Sequence, residues 1–145
     1  MHRTAIKYDL EEFKKEREQS FLGSKLISVS LYIDEKEKKK ILDFLDKNKT
    51  KFQRILVEIL SGSYRFKLYD REEVSDRAKG ITAMKFSSGS FLNARLYCKE
   101  FFMPDGKKVV IISLLEKKKV RNAKDKVIKN LLETIGGYEY DFKEE

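Results

Sequence analysis

Apolar residues recur at every second position in some stretches of this chain and at every third or fourth in others, and the two periods predict its elements. Lys25 to Ile33 alternates, with Ile27, Val29, Leu31 and Ile33 on one side, and predicts a first strand. Two helices follow. The first has Asp34 and Glu37 at capping-box spacing, apolar Ile41, Leu42, Phe44 and Leu45, and a break near Asn48. The second has Thr50 and Gln53 at its start and a stripe of Phe52, Ile55, Leu56, Ile59 and Leu60 that ends at Gly62. Together they predict a helical hairpin. Period 2 returns in Ile81 to Phe86 and in Phe91 to Phe102, and Val109 to Leu115 is the most apolar run in the chain. These predict three antiparallel strands, joined by a turn around Gly89 and by Pro104, Asp105 and Gly106, where Pro presets φ and Gly permits a positive one. Asn122 with Asp125 opens a last helix whose inward stripe is Ala123, Val127, Ile128, Leu131, Leu132 and Ile135, with Gly136 at its carboxyl end.

Four stretches are less regular. Asp9 to Gln19 has capping-box spacing and helix-forming residues, and predicts a short polar helix. Tyr64 to Tyr69 fits a strand or an extended connection. Asp70 to Lys79 has no stripe and fits a loop or a short helix, and Tyr138 to Phe142 fits an edge strand or a loose tail. The expected fold is α+β. A small antiparallel or mixed sheet carries the helical hairpin and the carboxy-terminal helix on one face, with residues 1–24 as an amino-terminal helical extension and 25–145 as one domain with an acidic tail.

At 145 residues, 41% hydrophobic and 39% charged, the chain has the length and composition of one folded domain. Cys98 is the only cysteine and falls on the apolar side of its strand, which suits a reducing compartment. No apolar run approaches the roughly 20 residues of a membrane span, so the expected location is the cytoplasm. His2 is the only histidine, which leaves no material for a histidine triad or histidine metal site. The glycines lack phosphate-loop spacing, and neither a metal nor a cofactor is expected.

Charge is unevenly placed. Residues 85–129 carry 12 Lys and Arg against 4 Asp and Glu, whereas residues 130–145 carry 1 against 5. The whole chain has a net charge of +8, which favours a polyanionic partner. In the Phe91–Phe102 strand, Leu92, Ala94, Leu96, Cys98 and Phe102 fall on one side and Asn93, Arg95, Tyr97 and Lys99 on the other. Arg95, Tyr97 and Lys99 are expected on a solvent face away from the helices, joined by Lys85, with Lys117, Lys118, Lys119 and Arg121 along one end and Lys124 beyond. Cations position phosphates, and an aromatic ring stacks on a base for about 1 to 3 kcal/mol. The same set could cleave a phosphodiester: Arg stabilises the extra charge of an in-line transition state, while Lys or Tyr moves protons. Polar residues on a sheet face are also common wherever that face meets water. The acidic tail could fold over the basic face and shield it.

The element order and the residues from Ile81 to Leu132 resemble the RelE/HigB-like toxins of toxin–antitoxin systems. The likeness rests on Ile81-Thr82-Ala83-Met84-Lys85, on Ala94-Arg95-Leu96-Tyr97, on the Asp105-Gly106 turn, on Ile111 to Leu115 running into Glu116-Lys117-Lys118, and on the closing helix. The upstream hairpin completes it. The resemblance implies a metal-independent endoribonuclease that cuts mRNA at the ribosome through the 2′-hydroxyl and is neutralised by an antitoxin. It implies phosphate-binding roles for Lys85, Arg95 and Lys117 or Lys118, and it puts Arg95, Lys85, Tyr97 and Lys118 forward as catalytic and Lys99, Lys117, Lys119, Arg121 and Lys124 as RNA-binding. Two positions depart from the family. Ser113 stands where HigB-like members place a histidine, and the carboxy-terminal proton-transfer residue has no clear counterpart, so Tyr97 or Lys99 would substitute by position alone. Two other classes remain open on the same fold: a nucleic-acid binder without chemistry, and a protein that targets DNA gyrase.

Overall fold

The computed structural model describes residues 1–17, 26–65, 67–88, 92–117 and 126–144, with the backbone alone at 87, 88, 92 and 93. Its elements are β1 (His2–Tyr8), α1 (Glu11–Glu16), β2 (Val29–Asp34), α2 (Lys38–Lys47), α3 (Lys49–Leu60), β3 (Tyr69–Arg71), β4 (Ile81–Ser88), β5 (Leu92–Phe102), β6 (Lys108–Glu116), α4 (Lys126–Gly136) and β7 (Glu139–Lys143), with 3-10 turns at Glu35–Glu37 and Asp76–Ala78. This is an α+β protein built on one mixed seven-stranded sheet in the order β3-β4-β5-β6-β2-β1-β7. The β4-β5-β6 meander is antiparallel as expected. The strand that precedes the helical hairpin, β2, returns beside β6 in parallel.

The sheet is larger than the sequence pattern predicted because both ends of the chain join it. Residues 1–24 were expected as a helical extension, but among the described residues of that stretch only α1 is helical: β1 lies inside the sheet, antiparallel to β2 and parallel to β7. Its sequence, His-Arg-Thr-Ala-Ile-Lys-Tyr, has one adjacent apolar pair and no alternation, so its strand character comes from its two neighbours, which is tertiary context overriding local signal. The tail forms β7 at the sheet edge.

Helices cover both faces of the sheet, which corrects the single helical face expected from sequence. The hairpin buries Ile41, Phe52, Ile55 and Leu56 against Leu31, Ile33, Met84, Leu96 and Ile112. On the opposite face α4 buries Ile128, Leu132 and Ile135 against Ile81, Ala83 and Tyr97. Side chains of this kind are worth about 1.5 to 3 kcal/mol each when fully buried. Gly136 fixes where α4 ends, since a Cβ at that position would lie 1.9 Å from the carbonyl oxygen of Arg77. Only a glycine lets helix and turn approach so closely. Ser75 ties the same loop to the helix, donating to Glu133 at 2.5 Å.

Candidate phosphate-binding site

Arg95 lies directly opposite Lys85 on β4 and Glu116 on β6, so one rung across three strands carries two cations and one acid. Like charges in directly opposed positions repel, and burial strengthens the repulsion. Here the Lys85 side chain is 9% exposed and that of Arg95 30%. The repulsion is offset by Glu72, from the loop after β3. Its Oε1 lies 2.8 Å from Arg95 Nη1 and 3.7 Å from Lys85 Nζ, so both cations converge on one carboxylate oxygen. Burial pushes the Lys85 ammonium below its ordinary pKa; Glu72 pulls it back up, and Arg95 adds to the lowering. Charge repulsion and desolvation coincide at this rung, a combination that recurs at binding sites.

Glu72 was not legible as a site residue. It sits in the Asp70–Lys79 stretch, which has no periodicity, and the β3–β4 pairing, continued by its own N–H donating to the Ile81 carbonyl at 2.9 Å, brings it back over the sheet.

The other expected site residues do not form an open platform. Tyr97 is 4% exposed, packed in the core beneath α4, and burial raises its phenol pKa. Lys99 is directed at the end of α4, donating from Nζ to the carbonyls of Gly136 at 3.0 Å and Tyr138 at 2.6 Å. A cation at a helix carboxyl terminus satisfies carbonyls that the helix leaves unpaired. Burial lowers its pKa, and its role is to hold α4. The solvent face expected for Arg95, Tyr97 and Lys99 is therefore a helix seat, with the Lys85–Arg95 pair beside it. Lys117 follows Glu116 and is exposed. Lys118, Lys119, Arg121 and Lys124 lie outside the described residues.

Ser113, at the position where a histidine was the family expectation, belongs to a different construction. It is the residue skipped where the β5–β6 register shifts. Its Oγ donates to the Ile111 carbonyl at 3.2 Å and stands 2.9 Å from the Tyr140 hydroxyl, which donates to Asp34 at 2.6 Å. Asp34 also receives the Arg3 guanidinium, at 2.6 and 3.2 Å. Burial and the Asp34 bond raise the Tyr140 pKa. With every member bonded, this network joins β1, β2, β6 and β7 rather than offering a reactive group. The described acids of the tail pair at this edge of the sheet: Glu144 reaches Lys7 at 3.3 Å and Tyr32 at 3.2 Å, and Asp141 lies 3.8 Å from His2. They do not lie over Lys85 and Arg95. Cys98 is fully buried, and burial pushes its thiol up, away from a reactive thiolate.

Among the described residues no group of three or more His, Cys, Asp or Glu could hold a metal ion. No described helix is long and apolar enough to cross a membrane. No protein-family model, curated protein or solved structure matches the chain.

Proposed function

We propose that this chain is an RNA-cleaving toxin of the RelE/HigB-like kind, held in check by a cognate antitoxin, and that Lys85, Arg95 and Glu72 form its phosphodiester site. The element order supports the reading, since β2, the α2–α3 hairpin, the β4-β5-β6 meander and α4 follow one another as the resemblance requires. The observation that carries it is the convergence of two opposed, partly buried cations on a single carboxylate oxygen. That oxygen occupies the position a non-bridging phosphate oxygen of mRNA would take.

Each group then has a role. Arg95 and Lys85 bind the phosphate and stabilise its added negative charge in the in-line transition state. Displaced from Arg95 by the phosphate, the Glu72 carboxylate accepts the proton of the ribose 2′-hydroxyl, whose oxygen attacks phosphorus and expels the 5′-oxygen, which takes its proton from water. Lys117 extends the cationic track. Burial under α4 favours a second reading, in which the same site binds RNA without cutting it, because Tyr97 is covered and cannot reach a leaving group.

One variant separates the two. Glu72→Gln removes a competing anion and the base together. On the cleavage reading it binds labelled mRNA fragments more tightly than wild type and cuts none, while wild type cuts with or without ribosomes and arrests growth on induction. On the binding reading it also binds more tightly, but wild type leaves the RNA intact. Unchanged affinity in both Glu72→Gln and Arg95→Ala would remove the site altogether.

A further inference from the structure

We propose that the outer edge of β7 pairs antiparallel with β7 of a second copy of this chain, about an axis through Asp141, giving a weak and symmetric dimer with one continuous sheet. The inference is independent of the Lys85–Arg95 site. The sheet ends at β7, a five-residue strand whose only strand neighbour among the described residues is β1. Natural sheets blunt such edges with proline, bulges, very short strands or charged side chains, and of these β7 carries only the charges Glu139, Asp141 and Lys143, two of which a second copy can pair. The other edge, β3, has three residues. Glu139–Lys143 has no proline, pairs with β1 in unbroken register and is exposed at four of its five positions.

Backbone geometry says which groups are free. The Glu139 N–H donates to the Met1 carbonyl at 3.0 Å. In a parallel ladder a residue turns its N–H and its C=O to the same neighbour and the next residue turns both away. Glu139, Asp141 and Lys143 therefore serve β1, and the N–H and C=O of Tyr140 and Phe142 point outward. An antiparallel partner centred on Asp141 places Tyr140 opposite the second copy's Phe142 and Phe142 opposite its Tyr140, each pair exchanging two hydrogen bonds.

The side chains fit the same register. Glu139 falls opposite Lys143 twice, giving two ion pairs on one face, and Tyr140 falls opposite Phe142 twice, giving two aromatic pairs on the other. Phe142 is 43% exposed, its ring 4.7 Å from that of Tyr32. The repeated Asp141 at the centre is the one like-charge contact, and His2 stands 3.8 Å from it in each copy. Shifting the centre by one residue to Tyr140 sets Glu139 against Asp141 twice, and shifting it to Phe142 sets Asp141 against Lys143 twice but keeps a single Phe142–Phe142 contact. Only the Asp141 centre sets Glu139 opposite Lys143, so variants of those two residues decide the register. Five residues a side bury far less than the roughly 1,200 Å² of a stable interface, so the dimer should be concentration-dependent.

Sedimentation of the full chain across concentration, combined with amide exchange, tests this. Tyr140 and Phe142 amides should exchange fast in dilute protein and slow as dimer forms, while the Glu139 amide is protected throughout. Glu139→Lys and Lys143→Glu should each weaken the dimer at least tenfold, and the double variant should restore it. The proposal is overturned by a wild type that stays monomeric up to about 1 mM, the weak end of the affinity scale. It is equally overturned by single variants that dimerise like wild type, by a double variant that is not restored, or by Tyr140 and Phe142 amides already protected in the monomer.

Discussion

Two ion clusters sit on opposite faces of the same sheet, built from nearly the same parts, and they differ in how far solvent reaches them. On the hairpin face, Glu100 accepts the hydroxyls of both Tyr64 and Tyr69 and stands 3.4 Å from Lys108 Nζ, with Thr82 donating to Tyr69 at 2.9 Å. One acid meets one ammonium, and Tyr64 closes the site with its ring 4.8 Å from Lys108 and 4.2 Å from the Arg71 guanidinium. On the α4 face, Glu72 serves two cations, one of them 30% exposed. The Glu100 cluster is sealed, with the Lys108 and Glu100 side chains 2% and 7% exposed. In the Glu72 cluster one cation, Arg95, stays open to solvent, and that accessibility is what the proposed phosphate site needs and a sealed ion pair lacks.

Removing Glu100 should break this contrast most strongly. Glu100→Ala leaves Lys108 buried without its acid, which costs about 3 to 5 kcal/mol, seen as a lower denaturant midpoint, with RNA affinity per folded molecule unchanged. Arg95→Ala should do the reverse: RNA affinity falls at least about tenfold, or ~1.4 kcal/mol, while stability changes by less than that. If Arg95→Ala unfolds the protein and Glu100→Ala does not, the two roles have been assigned the wrong way round.

Alkaline titration sharpens the same contrast. Burial, then the Glu100 bond, pushes the Tyr64 phenol from its ordinary 10.0 up to about 12. A folded-state pKa above the unfolded one contributes stability that is complete below pH 10 and is lost as pH climbs to about 12. Tyr64→Phe should lose about 1 kcal/mol at neutral pH for the missing hydrogen bond and should show a shallower loss of stability across that alkaline window. Lys117→Ala is the smallest change. It leaves stability in place and reduces the salt dependence of RNA binding by about one counterion.

The sequence carried the hairpin and the meander because their stripes are long and periodic: Phe52 to Leu60 reads as one helical face, and Lys25 to Ile33 as one strand face. It also held a signal for the second helical layer. Ile81 and Ala83 share a strand side with Lys85, and Val109 to Leu115 is apolar on both sides, as a strand covered on both faces must be. Reading Tyr97 and Lys99 as exposed neglected those neighbours. Glu72 and β1 carry no comparable signal, because a loop carboxylate is placed by strand pairing and a polar strand by the strands beside it.

The pairing of the first strand with the last sets the order in which the sheet can be assembled. Every other neighbouring pair of strands is complete once β6 has been made, but β7 comes from the far end of the chain, so the β1–β7 ladder closes a loop of nearly the whole molecule. That closure is the slowest to reward its entropy cost. During synthesis β1 should wait as the open border of a six-stranded intermediate. In that interval a chaperone or a second nascent chain meets a row of unpaired amides that the finished protein hides.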